Sequence, residues 1–486
     1  MEIININKEG KANLYIQLYR QLKKAILENK LKANTKLKPI RQMADDLGIN
    51  PATVVKAYNL LEMEELIYKK VGSGSYVSPV MERYPVNRKS PEESNDLDMM
   101  EYGQILVESD INFASATLSP ELLPVDDFQR IINTVIDRDG GEAFVYQKSQ
   151  GYYPLREAIY SNILREGINS SVNNILIVSG AQQALDLLAK VLVNFTDTVV
   201  VEEPTYSAVL SAFRSRGAKI KAIPLLSDGM DLEELEQFLK SNDIACVYVM
   251  TSFHNPTGIS WRDEKKDELL KLAERYDFYI IEDDCLSELY YTGDKPLPLK
   301  NFDLNNRVIY IKSYSKLFMP GLRLGFMVAP NKIITSLLSA KYFTDISSPG
   351  LTQRVFDLYI REGLWQEHLK QVRSLFNRRF HIMKEKIRYF HPDISLIHGP
   401  RGGLYFWLSL PEGLNSDTFY LMAIKNGASF LPGRVFFVEE KPNPFFRLSF
   451  AGVNEKEIKK GMDILIDLAR RYIEEGDGNR DYLPVL

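Results

Sequence analysis

Cysteine is nearly missing from this sequence: Cys246 and Cys285 are the only two among 486 residues. Both lie in apolar or acidic strand-like contexts, with no metal-ligand spacing and no disulfide framework, and a reducing cytoplasm fits. Long apolar runs are missing too. No stretch approaches the ~20 residues that a membrane helix needs. Met1-Glu2-Ile3-Ile4-Asn5 has no basic region ahead of an apolar core, so no signal peptide is expected. A large charge excess is also absent, but the formal net charge of −4 is unevenly spread. Residues 1–78 hold 13 Lys and Arg against 8 Asp and Glu, whereas 79–110 hold 3 against 8. A basic head on an acidic body points to a polyanion bound by the head alone. The length exceeds one typical domain, so two or three domains are expected.

The most informative run is Ser313-Tyr-Ser-Lys-Leu-Phe-Met-Pro-Gly-Leu-Arg-Leu-Gly325. Lys316 follows the apolar, β-branched stretch 308–311 and sits among small hydroxyl residues. Arg323 comes seven positions later, past a Pro-Gly turn. An amine that must reach an aldehyde, and a guanidinium that must grip the same ligand's phosphate, need this kind of arrangement.

In the first seventy-eight residues, Leu14, Ile16, Leu18, Leu22, Ile26 and Leu27 give a helical apolar stripe over 13–29. A short helix is predicted over about 40–47, ended by Gly48. A third starts at Asn50-Pro51, with Asn as N-cap and Pro in the first turn. Val54, Val55, Tyr58, Leu61 and Leu66 can face the core. Helix, Gly-containing turn and helix follow helix-turn-helix logic. The second helix of that pair presents Asn50, Ala52, Thr53, Lys56 and Asn59 near its start, where base edges and phosphates would be met. Two short β runs then flank Gly72-Ser73-Gly74, giving a hairpin with a basic flank at Lys69-Lys70. Residues 79–110, with three prolines and many acids, read as a linker. Met99, Met100, Tyr102, Ile105, Leu106 and Val107 near its end are suited to dock on the large domain.

From about 111 the chain alternates. Strands are expected at 175–178, 198–201, 244–250, 279–281 and 308–311, with helical segments between most of them. That pattern predicts an α/β domain with a mostly parallel sheet and ligands at the strands' C-terminal ends. Ser179-Gly180-Ala181-Gln182 opens a helix directly after a strand, a place for a phosphate. Tyr206 can stack on a flat heteroaromatic. Asn255, in His-Asn-Pro-Thr-Gly, can donate to a phenolate oxygen. Asp283 can pair with a pyridinium nitrogen, while Glu282 and Asp284 are expected in a solvated acidic turn.

Two resemblances follow. Pro39-Ile40-Arg41, Leu47-Gly48-Ile49, Thr53-Val54, Ala57-Tyr58, Leu61 and Gly72-Ser73-Gly74-Ser75-Tyr76-Val77 resemble the GntR-type winged helix-turn-helix. This implies a recognition helix at 51–64 and a wing at 69–76, with Arg41, Asn50, Ala52, Thr53, Lys56, Lys70, Gly72 and Ser73 at double-stranded DNA. Leu37-Lys38-Pro39 departs from the family's usual Leu-Pro-Ser and loses an N-capping hydroxyl. Residues 111–486 resemble a fold-type I, class I/II aminotransferase, with a smaller C-terminal α+β subdomain and helices on both faces of the sheet. The resemblance implies pyridoxal 5'-phosphate as cofactor. Lys316 would bond its aldehyde, and Gly180, Ala181, Gln182, Ser313 and Arg323 would hold the phosphate. Tyr206 would stack on the ring, Asn255 would meet the ring oxygen and Asp283 the ring nitrogen. Tyr146 would reach the phosphate of a partner subunit in a homodimer, and Arg447 would grip a substrate carboxylate.

Three departures from the aminotransferase pattern stand out. Cys285 replaces a Tyr, Phe113-Ala114-Ser115-Ala116-Thr117-Leu118 lacks an early Gly, and Ala208 stands where regulators that sense γ-aminobutyrate carry an arginine. The combined layout resembles MocR-type regulators. The expected function is a cytoplasmic transcriptional regulator that depends on pyridoxal phosphate and senses an amino compound or the cofactor itself. The alternative is a working aminotransferase that carries a DNA-binding domain.

Overall fold

The computed structural model describes residues 14–27, 30–32, 34–63, 66–70, 74–78, 110–439 and 441–476. They fall into two compact units, one within Met1–Glu93 and one within Ser94–Leu486.

In the first unit, α1 (Leu14–Leu27), α2 (Ile40–Leu47) and α3 (Pro51–Met63) enclose a small core that includes Leu18, Leu22, Met43, Val54, Tyr58 and Leu61. Of the predicted stripe on α1, Leu18, Leu22 and Ile26 are buried and Leu14 is half-buried; the side chains of Ile16 and Leu27 lie outside the described residues. Val55 departs from expectation. It is 37% exposed, because α3 turns Val54, Ala57, Tyr58 and Leu61 inward and position 55 falls off that face. Gly48, at φ 60°, closes α2 by donating its N–H to the carbonyls of Ala44 and Asp45. The Asn50 side chain accepts from the Ala52 N–H at 2.8 Å, ahead of Pro51, and so caps α3. No side chain caps α2, which begins after Pro39, as the missing hydroxyl implies. Tyr58 is buried and donates to the Lys38 carbonyl at 2.8 Å, pinning α3 to the segment that leads into α2. β1 (Ile67–Lys70) and β2 (Gly74–Val77) pair as an antiparallel hairpin, with Lys70 opposite Gly74. The expected tip residues Gly72 and Ser73, and 79–109 of the expected linker, lie outside the described residues.

In the second unit, β3 (Ile111–Asn112) precedes an eight-stranded sheet made of β4 (Ile175–Val178), β5 (Thr198–Glu203), β6 (Lys219–Leu226), β7 (Gly229–Met230), β8 (Cys246–Val249), β9 (Tyr279–Asp284), β10 (Val308–Ser313) and β11 (Gly325–Val328). Its order is β4-β11-β10-β9-β8-β5-β6-β7. The run from β10 to β6 is parallel, and β11 is antiparallel to both its neighbours. The C-terminal part adds β12 (Ser395–Leu396), β13 (Tyr405–Ser409), β14 (Ala428–Ser429), β15 (Leu431–Pro432) and β16 (Phe445–Ser449). Four of these form an antiparallel sheet in the order β12-β13-β16-β15, while β14 pairs with β3. Among the described residues, no helix is long and apolar enough to cross a membrane.

Strand alternation decides what each face receives. On one face, Tyr248, Ile281, Ile309 and Ile311 pack under the helices Ala181–Leu192, Ser207–Arg214 and Asn331–Asp345. On the other, Val247, Ile280 and Val308 pack with the helix Asp263–Arg275, and Tyr310 with a separate cluster toward the C-terminal part. Continuing those periods, Asp283 and Ser313 fall on the first face, and Asp284 and Lys312 on the second. The expected solvated turn at Glu282 and Asp284 does not occur. Both are buried, because β9 runs through to Asp284 and each carboxylate is met by donors. Glu282 accepts from Thr251 and from the N–H groups of Leu299 and Lys300.

Candidate cofactor site and DNA-binding head

Strand ends and a helix start converge at the C-terminal edge of the parallel strands. β4 ends at Val178, and the helix Ala181–Leu192 opens at once after Gly180. The first N–H groups of a helix have no partner within it, so those of Ala181 and Gln182 are available to an anion. Gly180 adopts φ 88°, and a Cβ there would stand 2.8 Å from Arg323 Nη2. The absent side chain is what lets the guanidinium reach the helix start. Arg323, itself left-handed at φ 50°, donates to the Ser179 carbonyl at 3.0 Å and to Ser315 Oγ at 3.3 Å. Ser313 ends β10 and accepts from the Ser315 N–H at 3.3 Å. Two hydroxyls, one guanidinium and a helix N-terminus therefore share one small volume. Ser315 is a member that the sequence reading passed over, although Ser-x-Ser-Lys placed it in view.

Beside this cradle lies Asp283, 2% exposed. Its Oδ2 accepts from the Tyr248 hydroxyl at 3.0 Å, while its Oδ1 has no hydrogen-bond partner. Burial pushes its carboxyl up to about 6, assisted by Asp284 and opposed by Tyr248, Lys316 and Lys312. A buried carboxylate oxygen without a donor is an open socket for a cationic N–H. Tyr248 is a second positioning residue missed from the sequence; its signal was the two-residue period of β8, which turns it to the same face as Asp283. Lys316 is partly buried in the turn after β10. Burial lowers its ammonium, Arg447 and Arg323 add to the effect, and Cys285 and Asp283 oppose it. A larger share of neutral amine is the form that attacks a carbonyl. Burial pushes the Tyr206 hydroxyl up to about 12, with Asp283 and Cys285 adding to the shift and Arg447 and Arg323 opposing it, so its ring shares this electrostatic neighbourhood.

Arg447 comes from β16 and is 4% exposed. Nη1 donates to Asn255 Oδ1 at 2.8 Å and Nη2 to the Ala114 carbonyl at 2.5 Å, and Nε is unpartnered. Its guanidinium lies 4.5 Å from the Tyr405 ring centroid and 5.2 Å from that of Phe436. The segment from Phe113, which departs from the aminotransferase pattern, thus supplies a backbone acceptor that orients the arginine.

Tyr146 is not brought to this cluster. It is 81% exposed, next to Phe144 at 65% and Val145 at 50%. In the head, Arg41, Asn50, Ala52, Lys56 and Lys70 are exposed and Thr53 is half-buried. The Lys56 ammonium lies 5.6 Å from the centroid of the Tyr15 ring on α1. That of Lys70 lies over the stacked rings of Tyr68 and Tyr76, 5.7 and 5.1 Å from their centroids.

Residues 116–465 match the family described as aminotransferase class I and II. The chain belongs to that family. Residues 14–77 match the gntR family of bacterial regulatory proteins. Over nearly its whole length this aminotransferase-family chain is similar to regulators. It is 30% identical to the HTH-type transcriptional regulator YdfD of Bacillus subtilis, over 94% of this chain and 96% of that one. It is 28% identical to the probable rhizopine catabolism regulatory protein MocR of Rhizobium meliloti, over 95% and 94%. The solved structure of the α-aminoadipate aminotransferase LysN from Thermus thermophilus, complexed with N-(5'-phosphopyridoxyl)-L-leucine, superposes with a TM-score of 0.72. The two share 28% identity over 79% of this chain and 96% of that chain. The protein is a MocR-like transcriptional regulator that uses pyridoxal phosphate. Its residues fit the cofactor: an anion cradle at Gly180 and Arg323, an open carboxylate oxygen at Asp283 and a partly buried amine at Lys316.

Proposed function

We propose that Lys316 is the attachment lysine and that Gly180, Ala181, Gln182, Ser313, Ser315 and Arg323 hold the phosphate. In this reading Asp283 holds the protonated ring nitrogen, Asn255 the ring oxygen, and Tyr206 covers the ring. When bound, the cofactor supplies an electrophilic aldehyde and an electron-withdrawing ring. Arg447 is the anchor for the carboxylate of an amino-acid effector. Its orientation is fixed by Asn255 and Ala114, and spare N–H donors remain. An effector held at one end by Arg447 is positioned to present its amine to the cofactor. Differential contacts of this kind can shift a conformational equilibrium of the regulator. Ala208, two residues past Tyr206, offers no cation at the place where regulators that sense γ-aminobutyrate carry an arginine, which supports an α-amino acid over γ-aminobutyrate.

The active unit is a homodimer whose partner receives Tyr146. The exposure of Phe144, Val145 and Tyr146 supports that assignment. The head, residues 1–78, binds double-stranded operator DNA through α3 and the wing, with Arg41, Asn50, Ala52, Thr53, Lys56, Lys70, Gly72 and Ser73 as contacts; residues 79–110 link it to the body at 111–486. The observation that carries the reading is the Lys316 amine, whose charged neighbours include both Asp283 and the Arg447 that is held by Asn255. The deciding experiment compares operator binding by apo, cofactor-loaded and amino-acid-treated full-length protein. A response to amino acids that depends on Arg447 is expected. If apo and loaded protein differ and no amino acid matters, the cofactor is itself the effector. Steady-state turnover of amino and keto acid would instead mark a working aminotransferase.

A further inference from the structure

The opposite face of the same strand ends opens into a separate cavity of about 330 Å³. Its floor is formed by Tyr310 and Lys312 of β10 and by Glu288, and a wall by Tyr314, Phe326 and Trp365. Trp365 meets Tyr314 edge-on, with centroids 5.1 Å apart. The acids here are already answered. Lys312 Nζ bonds Asp284 at 2.8 Å and Ser287 at 2.7 Å. Lys295 joins Glu288 at 2.7 Å and Glu166 at 3.2 Å, and Arg373 Nη2 lies 3.5 Å from the Glu288 carboxylate. The cations at the mouth are different. Arg165 and Lys370 line the cavity, are exposed, and have no hydrogen-bond or ion-pair partner among the described residues. Four cationic side chains against two acidic ones line the space.

Size, aromatic walls and two unanswered cations describe a complementary ligand. We propose that this cavity is a second ligand site, taking a small organic anion with a planar apolar body, such as an aromatic carboxylate. The ring would lie against Trp365 and Tyr314, and the acid would meet Arg165 and Lys370 at the mouth. The site also touches the cofactor machinery from behind. Lys312 adjoins Ser313 on β10, Asp284 adjoins Asp283 on β9, and Tyr314 stands two residues before Lys316. A ligand that shifts the buried Lys312–Asp284 pair therefore moves strand ends that carry the cofactor contacts.

The test is isothermal titration of the full-length, cofactor-loaded protein with benzoate, and with benzyl alcohol as the uncharged comparison, while the cofactor's visible band is followed. Benzoate should bind, benzyl alcohol at least tenfold more weakly, and the band should shift. The double variant Arg165→Ala/Lys370→Ala should weaken benzoate at least tenfold, with its cofactor band and melting temperature unchanged. Lys370→Glu, a second exposed change, should weaken it as well. Arg447→Ala should leave benzoate affinity in place, which separates this site from the one that Lys316 serves. Failure of benzoate to bind at millimolar concentration overturns the site. So does binding that survives both mouth variants, or that disappears in Arg447→Ala. Equal binding of benzyl alcohol overturns the anion assignment, and binding without a band shift overturns the link to the cofactor. Apart from a loss in Arg447→Ala, which would place the acid at Arg447, none of these outcomes touches the roles proposed for Lys316 and Arg447.

Discussion

Arg447 Nη1 donates to Asn255 Oδ1 at 2.8 Å, and that bond sets the direction of the Asn255 amide. A guanidinium only donates, so the amide oxygen must face it and the amide nitrogen must face the other way. Asn255 is 6% exposed, so its second end also needs a partner inside the protein or on a ligand. One side chain thus couples the residue proposed to hold the effector to the ring proposed to receive it.

Removing the arginine should therefore separate two properties. Arg447→Ala should retain the visible colour of the bound cofactor but lose the spectral response to amino acids. The loss of a buried, charge-assisted contact is worth roughly 2–5 kcal/mol, or more than about 30-fold in apparent affinity. Arg447→Lys should recover little of it, because one ammonium cannot replace a planar fork. A response by Arg447→Ala equal to that of the parent would show that the carboxylate is held elsewhere.

Asp283 should make the cofactor-free protein less stable and the loaded protein more stable. Its folded carboxyl titrates near 6 against an ordinary value of 3.8, so in the apo state this group favours folding only when protonated. That contribution is fully present below about 4 and is lost as pH rises through about 6. Asp283→Asn abolishes the penalty and should raise apo stability at pH 7.5 by roughly 1–3 kcal/mol. It should also weaken cofactor binding at the same pH, since a neutral amide cannot pair with a pyridinium. Thermal melts of apo and loaded protein at pH 5 and 7.5 measure both effects. An apo Asp283→Asn protein no more stable than the parent at pH 7.5 would contradict the account.

Gly180→Ala should damage the cradle without touching any catalytic group. The residue sits at φ 88°, where an L side chain is strained, and the new methyl would stand 2.8 Å from Arg323 Nη2. Both effects act against the native arrangement, by roughly 1–3 kcal/mol in total. Affinity for pyridoxal phosphate should fall more than affinity for pyridoxal, because the phosphate contacts are what move. Equal losses for the two ligands would place the damage outside the phosphate cradle.

The sequence and the structure agree best where local signals were strong. The Asn50 cap, the Gly48 stop and the Ser313–Arg323 run were readable because each depends on neighbours in the chain. Strand alternation could be read as well, yet its consequence at 282–284 was not: a run of three acids looks solvated until the covering helices and the Leu299 and Lys300 N–H groups are in place. Tyr248 and Ala114 act through partners 35 and 333 residues away, distances over which no local pattern carries information. Val55 shows the same limit on a small scale, since the sequence pattern placed both adjacent valines on the core face and only Val54 is buried there.

The head should carry the salt dependence of operator binding. Lys70 is exposed over the stacked Tyr68 and Tyr76 rings, which hold a flexible stem in place and lower the entropy lost on meeting a phosphate. Each phosphate contact releases counterions, so log affinity should fall with log salt by about 0.9 per contact. Lys70→Ala should reduce that slope by about 1 and weaken all sequences alike. Arg41→Ala should instead cost about 1–3 kcal/mol on the operator and little on random DNA if Arg41 reads a base edge. Binding titrations between roughly 50 and 200 mM salt distinguish the two roles. Tyr58→Phe serves as the structural comparison, because among the described residues its buried hydroxyl bonds only the Lys38 carbonyl, and its loss costs roughly 1 kcal/mol of folding stability. It should lower the melting point of the head and leave the salt slope alone. A protein lacking residues 1–78 that still binds the operator as tightly as the parent would remove the head from the reading altogether.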